Sequence, residues 1–280
     1  MEQGQPSKTA LGAARLRAAH QVLDHPKVLD DPVALRIVDR EAVAALHHSP
    51  ERFQTPRLRY LRAHMVMRSR YTEDRLTAAV ARGVDQYVIL GAGLDTFAYR
   101  SPFAETALRV FEMDHPATQA WKRARLAEGE IRIPSSVTFV PVDFERETLA
   151  EALARAGFRT DHATFLSWLG VTMYLTREPI MRTLEWVVTT MPPGSEIVFS
   201  YAVAPTAATS TVASRAAELG EPWVTYFEPA TLKRDLAQLG FRQLDDFGPA
   251  EQNERYFAGR TDGLCISGTG RLMAARVSPA

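Results

Sequence analysis

Residues 87–100 read Tyr87-Val88-Ile89-Leu90-Gly91-Ala92-Gly93-Leu94-Asp95-Thr96-Phe97-Ala98-Tyr99-Arg100. The first four are apolar and two are β-branched, the pattern of a strand buried in a parallel sheet. Gly91 and Gly93 then let the backbone turn sharply. A strand running into such a turn presents backbone N–H groups that no side chain shields, where a nucleotide-like ligand can approach. A tight turn with no ligand is the plain alternative.

A dinucleotide fingerprint calls for a third glycine at position 96, where this chain has Thr96. That glycine lets the following helix pack close beneath a pyrophosphate. A ligand without a pyrophosphate does not need it, and S-adenosylmethionine is the common ligand of that kind. An NAD-dependent oxidoreductase keeps only the Gly-x-Gly turn and an acid after the second strand in its favour. A protein that binds S-adenosylmethionine without catalysis is the third reading.

Downstream, strands alternate with helices. A second strand over 108–113 ends in Asp114-His115-Pro116, with Asp114 placed 21 residues beyond Gly93. An acid at this strand end is where ribose hydroxyls are held, although Asp114 also suits a helix cap ahead of Pro116. The third strand, 137–142, runs into Asp143-Phe144, an acid and an aromatic suited to the amino group and face of adenine. A strand-to-helix cap is the alternative there. The fourth strand, 163–168, leads into Leu169-Gly170-Val171-Thr172-Met173-Tyr174-Leu175, at the expected switch point of the sheet. Tyr174 is a candidate for orienting substrate, or a core tyrosine.

A helix over 177–190 and the turn Pro192-Pro193-Gly194 precede a fifth strand, 196–201. Pro205–Thr211 is small and polar and suits a mobile connection; a lid is expected over about 202–228. Trp223, Tyr226 and Phe227 are candidates to wall a substrate pocket, or to pack the lid on the sheet. A helix over 229–239 and strands over 241–247 and 271–277, joined by a long loop, complete the chain. The expected fold is therefore α/β, a doubly wound, mainly parallel seven-stranded sheet of Rossmann-like type.

Upstream of the first strand, residues 10–23, 33–48 and 57–82 are helical in pattern, and the first ten residues read as frayed. Residues 1–82 thus form a helical cap on one domain spanning 1–280. Near the end of its long basic helix stand Arg68 and Arg70, and an arginine at the mouth suits a bidentate bond to a ligand carboxylate. A solvated helix face accounts for them equally well.

Composition bounds the partners. Formal net charge is zero and the pI is about 7.1, which gives no electrostatic case for nucleic acid. The single cysteine, Cys265, excludes an internal disulfide and a cysteine-based zinc site, and reads as a buried small hydrophobe. No metal site is expected. No apolar run is long enough to span a membrane and no signal-peptide pattern opens the chain, so the expectation is a cytoplasmic protein with no membrane partner. Oligomeric state is left open.

Four segments, "LGAGLDTFAYR", "FEMDHP", "PVDFE" and "SWLGVTMYL", stand in this order, behind "TALGAARLRAAHQVLDHPKVLDDPVA". Together they resemble the leucine carboxyl methyltransferase-like family of S-adenosylmethionine-dependent methyltransferases, over about residues 8–277. The resemblance implies a class I methyltransferase fold with S-adenosyl-L-methionine as cofactor. It implies cofactor contacts from Gly91, Ala92, Gly93 and Asp95, from Asp114 and His115, from Asp143 and Phe144, and from Trp168 and Leu169. It favours Arg70, with Arg68 second, for the cofactor carboxylate, and matches Tyr174 to a family tyrosine. Many relatives read Glu-Gly where this chain has Leu169-Gly170, so no carboxylate acts at that point here. The implied activity is O-methylation of a carboxylate or hydroxyl, and the bacterial-looking composition favours a small natural-product-like acceptor from secondary metabolism. His115 and His162 are the histidines expected near ligand-side loops, without either being a committed base.

Overall fold

The computed structural model describes residues 7–143, 147–204, 214, 217, 218 and 220–278. Its centre is a seven-stranded sheet in the order β3-β2-β1-β4-β5-β7-β6. The strands are β1 (Gln86–Leu90), β2 (Arg109–Asp114), β3 (Val137–Pro141), β4 (Thr164–Trp168), β5 (Glu196–Tyr201), β6 (Phe241–Phe247) and β7 (Arg271–Val277). The first five run parallel, and β7 is antiparallel to both β5 and β6. The order reverses between β1 and β4, and that switch point opens a crevice at the carboxyl ends of the strands.

Alternation along β1 builds two cores. Val88 and Leu90 join Phe111, Leu166 and Phe199 on one face, against Ile180 and Leu184 of the helix Arg177–Thr190 and Leu232 and Leu236 of the helix Pro229–Leu239. Tyr87 and Ile89 join Val110, Phe165 and Val198 on the other, against Val66, Met67, Tyr71 and Leu76 of the long helix Pro56–Ala81. A strand buried on both faces must be apolar throughout, which is why 87–90 reads as a continuous run.

The cap has its own core, in which Ala14 and Ala18 of the helix Lys8–Leu23 meet Ile37, Leu46, Leu126 and Leu94 of the glycine turn. Its first helix begins at Lys8 with Ser7 capping it, so residues 7–10 are ordered rather than frayed. The pattern over 33–48 is divided into helices Ala34–Ile37 and Arg40–His48, because Asp39 takes the N-cap of the second. The stretch between β6 and β7 holds a helix, Pro249–Tyr256, where a long loop was expected. No helix among the described residues is long and apolar enough to cross a membrane. Cys265 is exposed rather than buried, since Leu264 and Ile266 on either side take the inward positions.

Candidate cofactor and acceptor site

Gly91 and Gly93 have φ of +68° and +46°, the left-handed region that a side chain disfavours. Space is short too: a Cβ at Gly91 would lie 2.5 Å from Val171 Cγ2, and one at Gly93 would press on Ala10 Cβ at 3.2 Å. The turn is thus wedged between the loop after β4 and the first cap helix. Ala92 N–H donates to Met113 O at 2.9 Å, and Asp95 N–H to Ala92 O at 2.7 Å. Asp95 Oδ1 accepts from Phe97 N–H at 2.9 Å.

Asp114 faces this turn. Its Oδ2 accepts the Gly93 N–H at 2.6 Å and its Oδ1 accepts the His115 N–H at 2.7 Å. Burial raises the carboxyl above the usual aspartate range, against the lowering effect of those two N–H groups. The helix Pro116–Glu128 is capped not by Asp114 but by His115, whose Nδ1 accepts from Ala117 N–H at 3.2 Å. Val142 N–H donates to Asp114 O at 3.0 Å, which keeps half-buried Asp143 beside it. Phe144 lies outside the described residues.

The two candidate arginines separate. Residues two apart on a helix point to nearly opposite sides. Arg70 is half-exposed on the outer face, donating to Asp74 Oδ1 at 2.7 Å and to Val28 O at 3.4 Å. Arg68 instead reaches the switch point, where a Cβ on Gly170 would lie 2.7 Å from its Nη1. Burial and nearby Arg17 push its pKa down to about 10, while Tyr174 and Asp95 act the other way. Among the described residues Arg68 has no side-chain hydrogen bond and no ion pair. A cation so placed fits the carboxylate of an amino-acid moiety, so S-adenosylmethionine matches the residues present.

The loop after β4 is held by Ser200, whose Oγ accepts Gly170 N–H at 2.7 Å and whose carbonyl accepts the Thr172 hydroxyl at 2.6 Å. Trp168 is buried in the core, and Leu169 packs partly buried against the opposite one. Tyr174 is half-buried on the short 3-10 turn Thr172–Tyr174. The lid is pinned to that turn: Val224 N–H donates to Met173 O at 2.8 Å and the Thr225 hydroxyl to Leu175 O at 2.5 Å. Phe227 takes the packing role, the second of its two expected readings. It is a core residue, edge-on to Tyr201 with the Arg177 guanidinium 5.3 Å from its ring centre. Trp223 and Tyr226 stay partly exposed with rings 6.4 Å apart. Pro205–Thr211 lies outside the described residues. His162 stands before β4, bonded to Asp85 at 2.7 Å, at the opposite end of the strands from the site.

Other residues of the site went unread in the sequence. Arg17, on the buried face of its helix with Ala14, Ala18 and Gln21, donates to Leu94 O at 2.5 Å. Asp31, the second acid of Asp30-Asp31-Pro32, is wholly buried and accepts the Thr96 hydroxyl at 2.6 Å. Arg100 Nε lies 3.1 Å from the same carboxylate and its guanidinium also binds Glu73. The signal for Arg17 was its position on the apolar face; Asp30-Asp31 ahead of Pro32 reads as a helix cap, which Asp31 Oδ1 provides by accepting Ala34 N–H at 3.0 Å, and nothing local points its other oxygen at Thr96.

The family profile of leucine carboxyl methyltransferase matches residues 10–188, well over half of the chain. The chain belongs to the leucine carboxyl methyltransferase family. Membership makes it an S-adenosylmethionine-dependent methyltransferase, with S-adenosylmethionine as cofactor. It is 32% identical over 295 residues to the Bacillus subtilis strain 168 protein named "Putative S-adenosyl-L-methionine-dependent methyltransferase YktD", covering 94% of this chain and 95% of that one. A Mycobacterium avium family protein of the same description is 32% identical over 77% of this chain and 72% of its own. Among solved structures, "a putative methyltransferase from Thermobifida fusca YX" superposes with a TM-score of 0.58 at 17% identity, covering 99% of this chain and 97% of that one, which shows a common fold.

Proposed function

We propose that this methyltransferase is an O-methyltransferase of a small-molecule acceptor and that Arg68, not Arg70, takes the cofactor carboxylate. The observation that carries the reading is Arg68, a cation at the switch point with no ion-pair partner among the described residues. Asp114, with lone pairs left after accepting two backbone N–H groups, suits the ribose hydroxyls, and Asp143 beside it suits adenine. Enclosure supports a small acceptor. Ala10 sits on Gly93, and the Glu221 carboxylate accepts from Ser7 Oγ and from Lys8 N–H at 3.1 Å, tying the lid to the first cap helix. Such a closed mouth excludes water and holds the acceptor in line with the methyl group. Tyr174, between Arg68 and the pinned lid, then orients the acceptor.

The segment after the glycine turn disfavours a dinucleotide. Among the described residues between Gly91 and β2 the one helical element is the 3-10 turn Phe97–Tyr99, so no α-helix N-terminus waits there for a pyrophosphate.

Thermal-shift titration with S-adenosylmethionine, S-adenosylhomocysteine and NAD tests the cofactor, since a ligand of the folded state adds about 2.7 kcal/mol at a hundred times its Kd. Saturable shifts with the first two and none with NAD are expected. Methyl-labelled cofactor incubated with small phenols, hydroxy acids and carboxylic acids then tests the acceptor class. Label found only on protein, or only on nitrogen or carbon, overturns the O-methyl reading.

A further inference from the structure

The Asp31 carboxylate sits where the cap meets the cofactor turn. Its backbone is fixed first. Gln21, on the buried face of the first cap helix, accepts Asp31 N–H at 3.0 Å through Oε1 and donates to Leu29 O at 3.0 Å through Nε2. The side chain is wholly buried. Oδ1 accepts Ala34 N–H at 3.0 Å and lies 3.1 Å from Arg100 Nε. Oδ2 accepts the Thr96 hydroxyl at 2.6 Å and lies 3.5 Å from Arg17 Nε. Three of these partners lead into the segment after Gly93: Thr96 and Arg100 belong to it, and Arg17 donates from Nη2 to Leu94 O at 2.5 Å.

The same carboxylate is linked to the helix that carries Arg68. Arg100 donates to Glu73 from both Nη atoms, Nη1 at 2.9 Å, and Glu73 stands on the long helix Pro56–Ala81 with Arg68. The glycine turn and the Arg68 helix are thus tied to one buried point of the cap. Stability alone is a poor account of this arrangement. Taking two guanidiniums and two carboxylates largely out of water offsets much of what their pairing returns, and apolar side chains of similar volume often pack as stably. Charged hydrogen bonds supply what apolar contact does not, which is direction, because each bond accepts a narrow range of angles. Such bonds suit a place where two parts of a binding site must keep one spacing.

We propose that Asp31 is a positioning residue for cofactor binding: through Thr96, Arg17 and Arg100 it holds the glycine turn at the distance from Arg68 that S-adenosylmethionine spans. This rests on the reading in which Arg68 holds the cofactor carboxylate. Adenosine and carboxylate stand at opposite ends of the cofactor, so its affinity depends on how well the turn and Arg68 are spaced beforehand. A site already in register has less freedom to lose on binding. Asp31 is wholly buried and acts only through its partners. A ligand without the amino-acid moiety does not span the two and is indifferent to their spacing. Asp31→Asn removes the charge and turns one of the two acceptor oxygens into a donor, which loosens the turn from the cap.

The test is titration calorimetry on the full-length protein, well below its melting temperature, with S-adenosylhomocysteine and with 5′-methylthioadenosine, which lacks the amino-acid moiety. Asp31→Asn is expected to weaken S-adenosylhomocysteine about tenfold, the low end for a lost charged hydrogen bond, and to leave 5′-methylthioadenosine within about twofold of wild type. In an Arg68→Met background the same change is expected to cost S-adenosylhomocysteine almost nothing, since no carboxylate contact is left to misalign. The two losses then do not add. A merely structural role lowers Tm and leaves the ratio of the two affinities unchanged. Unchanged S-adenosylhomocysteine affinity, equal weakening of both ligands, or losses that add across the two substitutions overturns the proposal. Where Asp31→Asn fails to fold, Thr96→Val, which cuts one of the three links, is read by the same cycle with the same outcomes. If Arg68→Met alone leaves S-adenosylhomocysteine unchanged, the underlying cofactor reading has failed instead, and the two failures are told apart.

Discussion

The Thr96 hydroxyl donates to the Asp31 carboxylate at 2.6 Å, joining the cofactor turn to the helical cap across 65 residues. Position 96 is where a dinucleotide-binding turn carries glycine, and here it anchors the roof of the site. Thr96→Val removes a buried hydrogen bond to a charged acceptor and is expected to cost about 1.5–3 kcal/mol. At about 2–4 °C per kcal/mol for a chain of this size, calorimetric melting reads the loss. An unchanged Tm would show that the cap holds the turn by other means.

Arg68 and Arg70 are distinguished by a pair of ligands. Arg68→Met is expected to weaken S-adenosylhomocysteine by about 1.5–3 kcal/mol, the range of a charged hydrogen bond, or roughly 10–150-fold. Binding of 5′-methylthioadenosine, without the carboxylate, stays close to wild type. Arg70→Met changes neither, since Arg70 is engaged with Asp74. Titration calorimetry giving the reverse ranking would return the carboxylate to Arg70.

Asp114→Ala is expected to weaken S-adenosylhomocysteine by about 1–3 kcal/mol. Burial raises the Asp114 carboxyl above its ordinary 3.8, so it protonates earlier on acidification than a free aspartate. Protonation favours the fold slightly at this site but removes the acceptor for ribose. Affinity should therefore begin to fall above pH 3.8. An affinity independent of pH down to that value would take Asp114 out of the site.

The cap depends on Asp24. Arg62 donates to it from Nε at 2.6 Å and Nη2 at 2.8 Å, and His20 Nδ1 lies at 2.8 Å while His20 Nε2 accepts Val28 N–H at 3.0 Å. Asp24→Ala strands a buried guanidinium and is expected to cost about 3–5 kcal/mol. Burial alone would raise this carboxyl, but the bonds from His20 and Arg62 hold it below its ordinary 3.8. A depressed carboxyl stabilises the fold above that value and loses its contribution as pH falls through the folded pKa. Denaturant unfolding across this acid range should show wild type converging on the variant; parallel curves would contradict it.

Glu221→Ala releases the lid from Ser7, Lys8 and Thr9. With about 0.5–2 kcal/mol of hydrogen bonding lost, S-adenosylhomocysteine should dissociate roughly 2–30-fold faster. Stopped-flow displacement measures this, and an unchanged rate would mean that exchange does not pass between lid and cap.

Much of this site was legible in the sequence because its signals are local. A buried strand, two glycines and an acid at the next strand end follow from backbone sterics and the geometry of parallel sheets, which neighbouring residues determine. The helix Pro249–Tyr256 escaped because its residues are mostly polar, leaving only Gly248-Pro249 as a start signal. Phe227 stayed open between a pocket wall and packing of the lid on the sheet, because an aromatic on a lid and one in a core have the same local context, and the structure gives the packing role.

By itself the sequence determined the alternation of strands and helices, the turn at Gly91–Gly93 and Asp114 beside it, since each depends on residues adjacent along the chain. The tertiary structure alone decided that Arg68 faces the switch point while Arg70 meets Asp74, that His115 rather than Asp114 caps its helix, and that Asp31 holds Thr96. Which face of a helix turns inward, and what meets it there, depends on elements distant in sequence, and their packing fixes the matter only once the sheet is assembled.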